Sequence, residues 1–238
     1  MRYSTYILII FLSILSCSSP NPEIMHLTGA VKGLEKGTLL LQKFEDTVLV
    51  TVDSMDINGN SQFSFSEKVE SPEIYYLYVR LKDGTLKDDR IQFFGENGNV
   101  NIETNLEKFG SAAKVSGSKN DSLLRDYYLL KQRYITKNLD FIEVRINART
   151  KNTDSLVKEI DRKQQSLQAS QNFATINFAI KNSDYEVAPF LMLSEAYNSQ
   201  IKYLDTVYNT LSPKIKDSKY GKELESFIKT SKEADTLL

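Results

Sequence analysis

Asp56, Asn58, Asn60 and Glu67 occupy positions one, three, five and twelve of a stretch with EF-hand spacing. Position six is Ser61, not the glycine that the sharp calcium-loop turn requires. The flanks are β-rich, so a polar hairpin turn is the expected role. Asp83, Asp88 and Asp89 form a second acidic group suited to a hard cation, but Lys82, Lys87 and Arg90 are interleaved with it. A solvated loop is expected there. His26, the only histidine, opens the first apolar stretch. An imidazole base needs a nucleophile to activate, and no Ser or Cys nucleophile motif accompanies it, so a surface or strand-edge position is expected. A single Cys excludes an intramolecular disulfide, a C-x-x-C redox pair and a Cys-rich zinc site. No G-x-S-x-G, phosphate-binding, H-E-x-x-H or dinucleotide fingerprint occurs. The expected catalytic, cofactor and metal residues are therefore none, and the chain is not expected to be an enzyme.

The one thiol has a more specific context. Met1-Arg2 is followed by an apolar run, Tyr6 to Leu15, broken only by Ser13. Ten residues rise about 15 Å as a helix, roughly half a bilayer core, which is the plan of a secretory leader rather than a membrane span. The run ends Ile14-Leu15-Ser16-Cys17, which resembles a bacterial lipoprotein lipobox. By that resemblance residues 1–16 are a signal peptide, and Cys17 becomes the acylated mature N-terminus. Two or three acyl chains hold a protein to a membrane stably where one does not. Ser18-Ser19-Pro20-Asn21-Pro22 then suits a short tether over residues 17–23. The acidic run of surface-exported lipoproteins is absent after Cys17. The expected location is the cell envelope, at the outer membrane facing the periplasm, with the cell surface as the alternative.

The remaining chain is long enough for a genuine core, and 41% apolar with 26% charged residues is ordinary for a folded protein. A net charge of −1 argues against nucleic acid as a partner. Nine of the ten glycines lie between Gly29 and Gly117, which divides residues 24–118 from 119–238. The first part reads as short strands: 26–31, 38–44, 48–52, 62–69, 74–81, 90–94, 99–103 and 114–115. Asp56 to Asn60 reads as a hairpin turn, with Asn58-Gly59 able to take positive φ; Lys82-Asp83-Gly84 repeats that chemistry. With no helical crossover between strands, an antiparallel β-sandwich or open barrel is expected.

From Lys119 the period becomes helical. Leu123, Tyr127, Leu130 and Tyr134 are spaced four, three and four, and Leu139, Ile142 and Ile146 extend the apolar stripe. A second helix is expected over 154–181, with Gln164 and Gln171 interrupting its stripe. The pair predicts an antiparallel helical hairpin, and the whole an α+β fold with segregated halves. Ser183 to Glu186 has capping-box form, yet Pro189 allows a start nearer Ala188. Shorter helices are expected over 203–211 and 219–232.

In order along the chain, Leu27-Thr28-Gly29, Gly37-Thr38-Leu39, Asp53-Ser54, Phe63-x-Phe65, Ser71-Pro72, Glu96-Asn97-Gly98 and Ser116-Gly117-Ser118-x-Asn120-Asp121 form a series. With Leu211-Ser212-Pro213 and Ser218-Lys219-Tyr220-Gly221, it resembles the uncharacterised β-domain and helical connector of envelope lipoproteins that carry a thioredoxin-like thiol-disulfide oxidoreductase domain. The resemblance covers residues 24–230. It implies a redox domain next, but the sequence ends at Leu238 without a C-x-x-C pair, so an accessory role is expected rather than redox catalysis.

Three functions follow as expectations. The first is a non-catalytic envelope module, membrane-anchored through Cys17, that binds or positions an unknown envelope protein. The second is a small-ligand or glycan-binding lipoprotein with a pocket lined by aromatics such as Tyr76 and Phe94. The third is a shortened member of a thiol-disulfide oxidoreductase family. Tyr76 and Tyr78 fall on one strand face with Tyr75 opposite, and core packing is expected of them. Lys119 to Lys151 holds eight cations against four anions, which suits a solvated face, with contact to anionic lipid or to a partner as the alternative.

Overall fold

In the computed structural model, residues 23–151 and 153–236 are described. The expected signal peptide, Cys17 and all of the tether but Glu23 lie outside them. Among the described residues, eight strands precede six helices: β1 (Ile24–Lys32), β2 (Lys36–Glu45), β3 (Val48–Asn58), β4 (Gln62–Lys68), β5 (Glu73–Leu81), β6 (Ile91–Gly95), β7 (Gly98–Asn105), β8 (Lys114–Ser116), then α1 (Lys119–Thr150), α2 (Asp154–Lys181), α3 (Val187–Ser194), α4 (Ile201–Thr210), α5 (Pro213–Lys216) and α6 (Lys219–Thr236). The segregated α+β architecture matches the expectation.

The strands form two four-stranded sheets, in the orders β4-β1-β7-β8 and β3-β2-β5-β6. Alternation in β4 and β7 sends Phe63, Phe65, Val100 and Ile102 inward, against Leu39, Leu41, Tyr75, Leu77 and Phe93 of the other sheet. The result is a sandwich with no closed barrel. The expectation of purely antiparallel pairing is corrected in one place: β1 pairs with β7 in parallel, Leu27 opposite Val100. The crossover that permits this is the second sheet itself, not a helix.

The hairpin expected at Asp56 to Asn60 is also corrected. Asp56 to Asn58 are the end of β3, paired with β2, while β4 pairs with β1, so the chain turns a corner between sheets from Gly59 to Ser61. Gly59 alone takes the left-handed conformation, at φ 87°. Lys82-Asp83-Gly84 does form a tight turn, at the start of the 82–90 link between the paired β5 and β6, with the Asp83 carboxylate accepting from Thr85 N at 2.9 Å.

β5 is buried on both faces. Tyr75, Leu77 and Val79 enter the sandwich core, whereas Ile74 joins Phe94, Leu123, Leu124, Tyr127, Val187, Leu191 and Tyr220 in a second core beneath the helices. A third core unites the end of α2 with α3 to α6. Val187 begins α3, so Ser183 is not its cap. Pro189 is the third residue, where a backbone N–H has no partner within the helix to lose. Near the start of α6, Gly221 permits close packing: a Cβ there would lie 1.9 Å from Ile215 O.

Candidate functional site

Two features stand out: the joint between sandwich and helices, and the arm that the joint carries. The joint is hydrogen-bonded across large sequence separations. Ser118 caps α1, its side chain accepting from Asp121 N at 3.0 Å. Asn120 is buried; its Oδ1 accepts from Val187 N, and its Nδ2 donates to Glu96 and Glu186, each at 2.9 Å. Glu96 also accepts from Lys119 N. The Asp121 carboxylate accepts from Phe94 N at 3.2 Å and Arg125 Nε at 2.6 Å. Burial pushes the Asp121 carboxyl above its ordinary pKa, against the opposing pull of Arg125 and Phe94 N–H.

The second side of the joint ties β5 to α6. Ser71 Oγ accepts from Lys219 N, and Tyr220 Oη accepts from Ile74 N at 3.0 Å. Glu73, nearly buried, lies between Lys43 at 3.2 Å and Lys219 at 2.5 Å. Burial alone would lower the Lys43 pKa, but Glu73 and Glu67 outweigh it and hold the ammonium above its ordinary value. A cleft of about 600 Å³ opens here, lined by Lys43, Asp46, Lys68, Glu70, Lys219 and Lys222 among others. Carboxylates already answer Lys43, Lys68 and Lys219.

Beyond the joint, α1 and α2 run on as a two-helix arm. The last bonds between α1 and the rest of the fold are Gln92 to Tyr128 and Lys131 to Glu195. On α2 the first are Asn172 to Ser199 and the edge-on rings of Phe173 and Tyr203. Among the described residues between these points, hydrogen bonds and ion pairs join α1 to α2 or stay within one helix, as in Arg145–Asp161 and Gln164–Asn138. From Gln132 to Thr150 the arm extends about 28 Å at 1.5 Å per residue.

The apolar stripe expected on α1 therefore divides. Asn138, Arg145 and the buried Ala148 face α2, so the contact between helices is partly polar and Gln164 belongs to it. Leu139 and Ile146, expected to pack, are 58% and 59% exposed. With Ile135 at 39%, Tyr128 at 40% and the half-buried Ile142, they form a separate seam, about a third of a turn away from the α2-facing side. The apolar positions of α1 thus form two stripes where one was expected. The missed signal is the spacing of Ile135, Leu139, Ile142 and Ile146 by four, three and four, in register with Tyr128.

The other sequence candidates fall apart spatially. Asp56 accepts from Thr38 Oγ1 at 2.7 Å, Asn60 from Gln62 N, and Glu67 lies 3.6 Å from Lys43. Asp89 accepts from Gly110 N, away from the turn that Asp83 closes. No three His, Cys, Asp or Glu side chains among the described residues form a metal-holding group. His26 is exposed, 3.2 Å from Ser66, on an interior strand rather than an edge. Tyr76 and Tyr78 do oppose Tyr75: Arg90 stacks 4.7 Å from the Tyr76 ring and donates to Tyr78 Oη. Phe94 is fully buried, edge-on to Phe190 and Tyr220, so it is packing rather than pocket lining.

A β-domain mounting a helical arm is the class that this geometry defines. Residues 25–124 match a family described as a domain of unknown function, DUF4369. The match spans the sandwich and runs through Asn120 and Asp121 into α1, so it includes the α1 side of the joint. The comparison with curated proteins finds no match.

Proposed function

We propose that this chain is a non-catalytic cell-envelope protein, anchored through a lipidated Cys17, whose helical arm docks a partner protein. The carrying observation is the seam on α1: apolar side chains at helical spacing, more than half exposed at Leu139 and Ile146, on an arm that extends beyond the rest of the fold. Exposed apolar residues in a contiguous row mark interaction surfaces more often than residues scattered singly. The hydrogen-bonded joint supports the reading, because it holds the arm in a fixed direction relative to the sandwich. The lipobox-like leader supports anchoring at the outer membrane facing the periplasm. The resemblance to the domain and connector of thioredoxin-like lipoproteins supports an accessory role beside a separate activity. A ligand pocket built on Phe94 is not part of the proposal, since that ring is packed in the core.

The test is a photo-reactive residue placed at Leu139, at Ile146 and, as reference, at His26 of the full chain in intact cells. Adducts of higher mass are expected from the two arm positions and not from His26. Arm positions without adducts, or adducts equally strong from His26, would remove the arm as the docking element.

A further inference from the structure

Resting on that docking reading, we infer that the partner presents an α-helix with an apolar seam of matching period and an acidic excess along its rims. The period carries the first half. Ile135, Leu139, Ile142 and Ile146 repeat by four, three and four, the rhythm with which helices interlock knobs into holes. An extended strand offers side chains at period two and matches only isolated positions of such a row. The seam from Ile135 to Ile146 rises about 17 Å, some three helical turns. Four partly exposed aliphatic side chains belong to the small, reversible class of interface rather than the obligate one.

Charge carries the second half. Between Gln132 and Gln171 the arm holds eight cations, Arg133, Lys137, Arg145, Arg149, Lys151, Lys158, Arg162 and Lys163, against five acids. Two ion pairs are already closed within the arm, Asp161 with Arg145 and Glu159 with Lys163; each takes one acid and one cation, so the excess of three cations stands. The whole chain has a net charge of −1, so the positive excess is local to the arm. Arg145 and Arg149 border the seam on the α2 side, while Glu143 borders it opposite. A helix can match that two-signed rim residue by residue; a uniformly anionic bilayer cannot. A second copy of the arm would bring the same positive excess against itself. Charge complementarity of this kind selects partners and speeds encounter.

The experiment digests the Leu139 adduct from intact cells and sequences the attached peptide. The expected acceptor is a helical segment with apolar residues at four-three spacing and more acids than bases. Adduct yield is expected to fall several-fold in Arg149→Glu and to persist in Arg149→Lys, both verified as folded by circular dichroism. A lipid adduct, a peptide of this chain itself, an acceptor without the seam, an acceptor with a basic excess, or equal yield in Arg149→Glu would each overturn the inference. Adducts to a wrong protein acceptor leave arm docking standing; absence of adducts from both arm positions removes both.

Discussion

Asn120→Ala is the most informative perturbation of the joint, because one small side chain there serves three elements. Asn120 is 2% exposed and makes three hydrogen bonds of 2.9 Å, to Val187 N at the start of α3 and to the carboxylates of Glu96 and Glu186. Truncation leaves a buried N–H without its acceptor, at about 1–3 kcal/mol, and removes a donor from the buried Glu186 carboxylate, where bonds to charge are worth about 1.5–3 kcal/mol. The expected loss is about 3–5 kcal/mol. Urea unfolding followed by circular dichroism measures it, and separation of the transition into two steps is also expected, since sandwich and helical cores lose a shared tie. Asn120→Asp sharpens the test. It is nearly isosteric but turns a donor into a carboxylate oxygen facing two carboxylates, so its neutral-pH loss should exceed that of alanine. The native state then favours the protonated form, raising the introduced group's pKa, so stability rises as pH falls through that window. A loss below about 1 kcal/mol for alanine, or an aspartate variant no worse than alanine at neutral pH, would refute the reasoning.

Three further expectations are independent of Asn120. Mass spectrometry of the mature chain should find an acylated N-terminal Cys17; an unmodified thiol would sink the anchoring claim. Leu139→Glu with Ile146→Glu should leave the unfolding free energy within about 0.5 kcal/mol, because both sites are exposed helix positions; a loss of 2 kcal/mol or more (roughly the cost of a core change) would mean they are packed. Alkaline titration should show stability level to about pH 10 and falling above it. Burial pushes the Tyr127 phenol up to about 12, despite its bond to Thr175, so the native state keeps a proton that the unfolded state loses between about 10 and 12. Lys43 adds a loss of the same sign, which begins as pH rises through the ordinary lysine range and ends once its raised pKa is passed. The Tyr127 part reaches at most about 1.4 kcal/mol per pH unit and should vanish in Tyr127→Phe.

The elements were legible because their signals are local. β-branched and aromatic runs mark the strands except for the second half of β3, whose polar residues look like a turn, and the polar break before 154–181 with the period after it marks α2. What failed was pairing, which is long-range. Asn58-Gly59 has hairpin chemistry, yet the same turn can join different sheets, and nothing near it in sequence specifies which strand β4 will meet. The joint was visible only as motif residues without a reason. Ser71 and Tyr220 acquire one when Lys219 and Ile74 come to them from 148 and 146 residues away. The arm's seam was misread for a related cause. Periodicity shows that Leu139 and Ile146 share a side, but burial depends on where α2 lies, and α2 packs on the more polar side built from Asn138 and Arg145.

Covering of the seam in the native envelope is the central claim, and accessibility measures it directly. Leu139→Cys in the full chain would be exposed to a maleimide reagent in the purified protein and in isolated envelopes, with the labelled position located by mass spectrometry and Ser64→Cys on the outer face of the first sheet as reference. Position 139 should label readily when purified and be protected in envelopes, while position 64 labels in both. Equal labelling of position 139 in both preparations would contradict a docked arm.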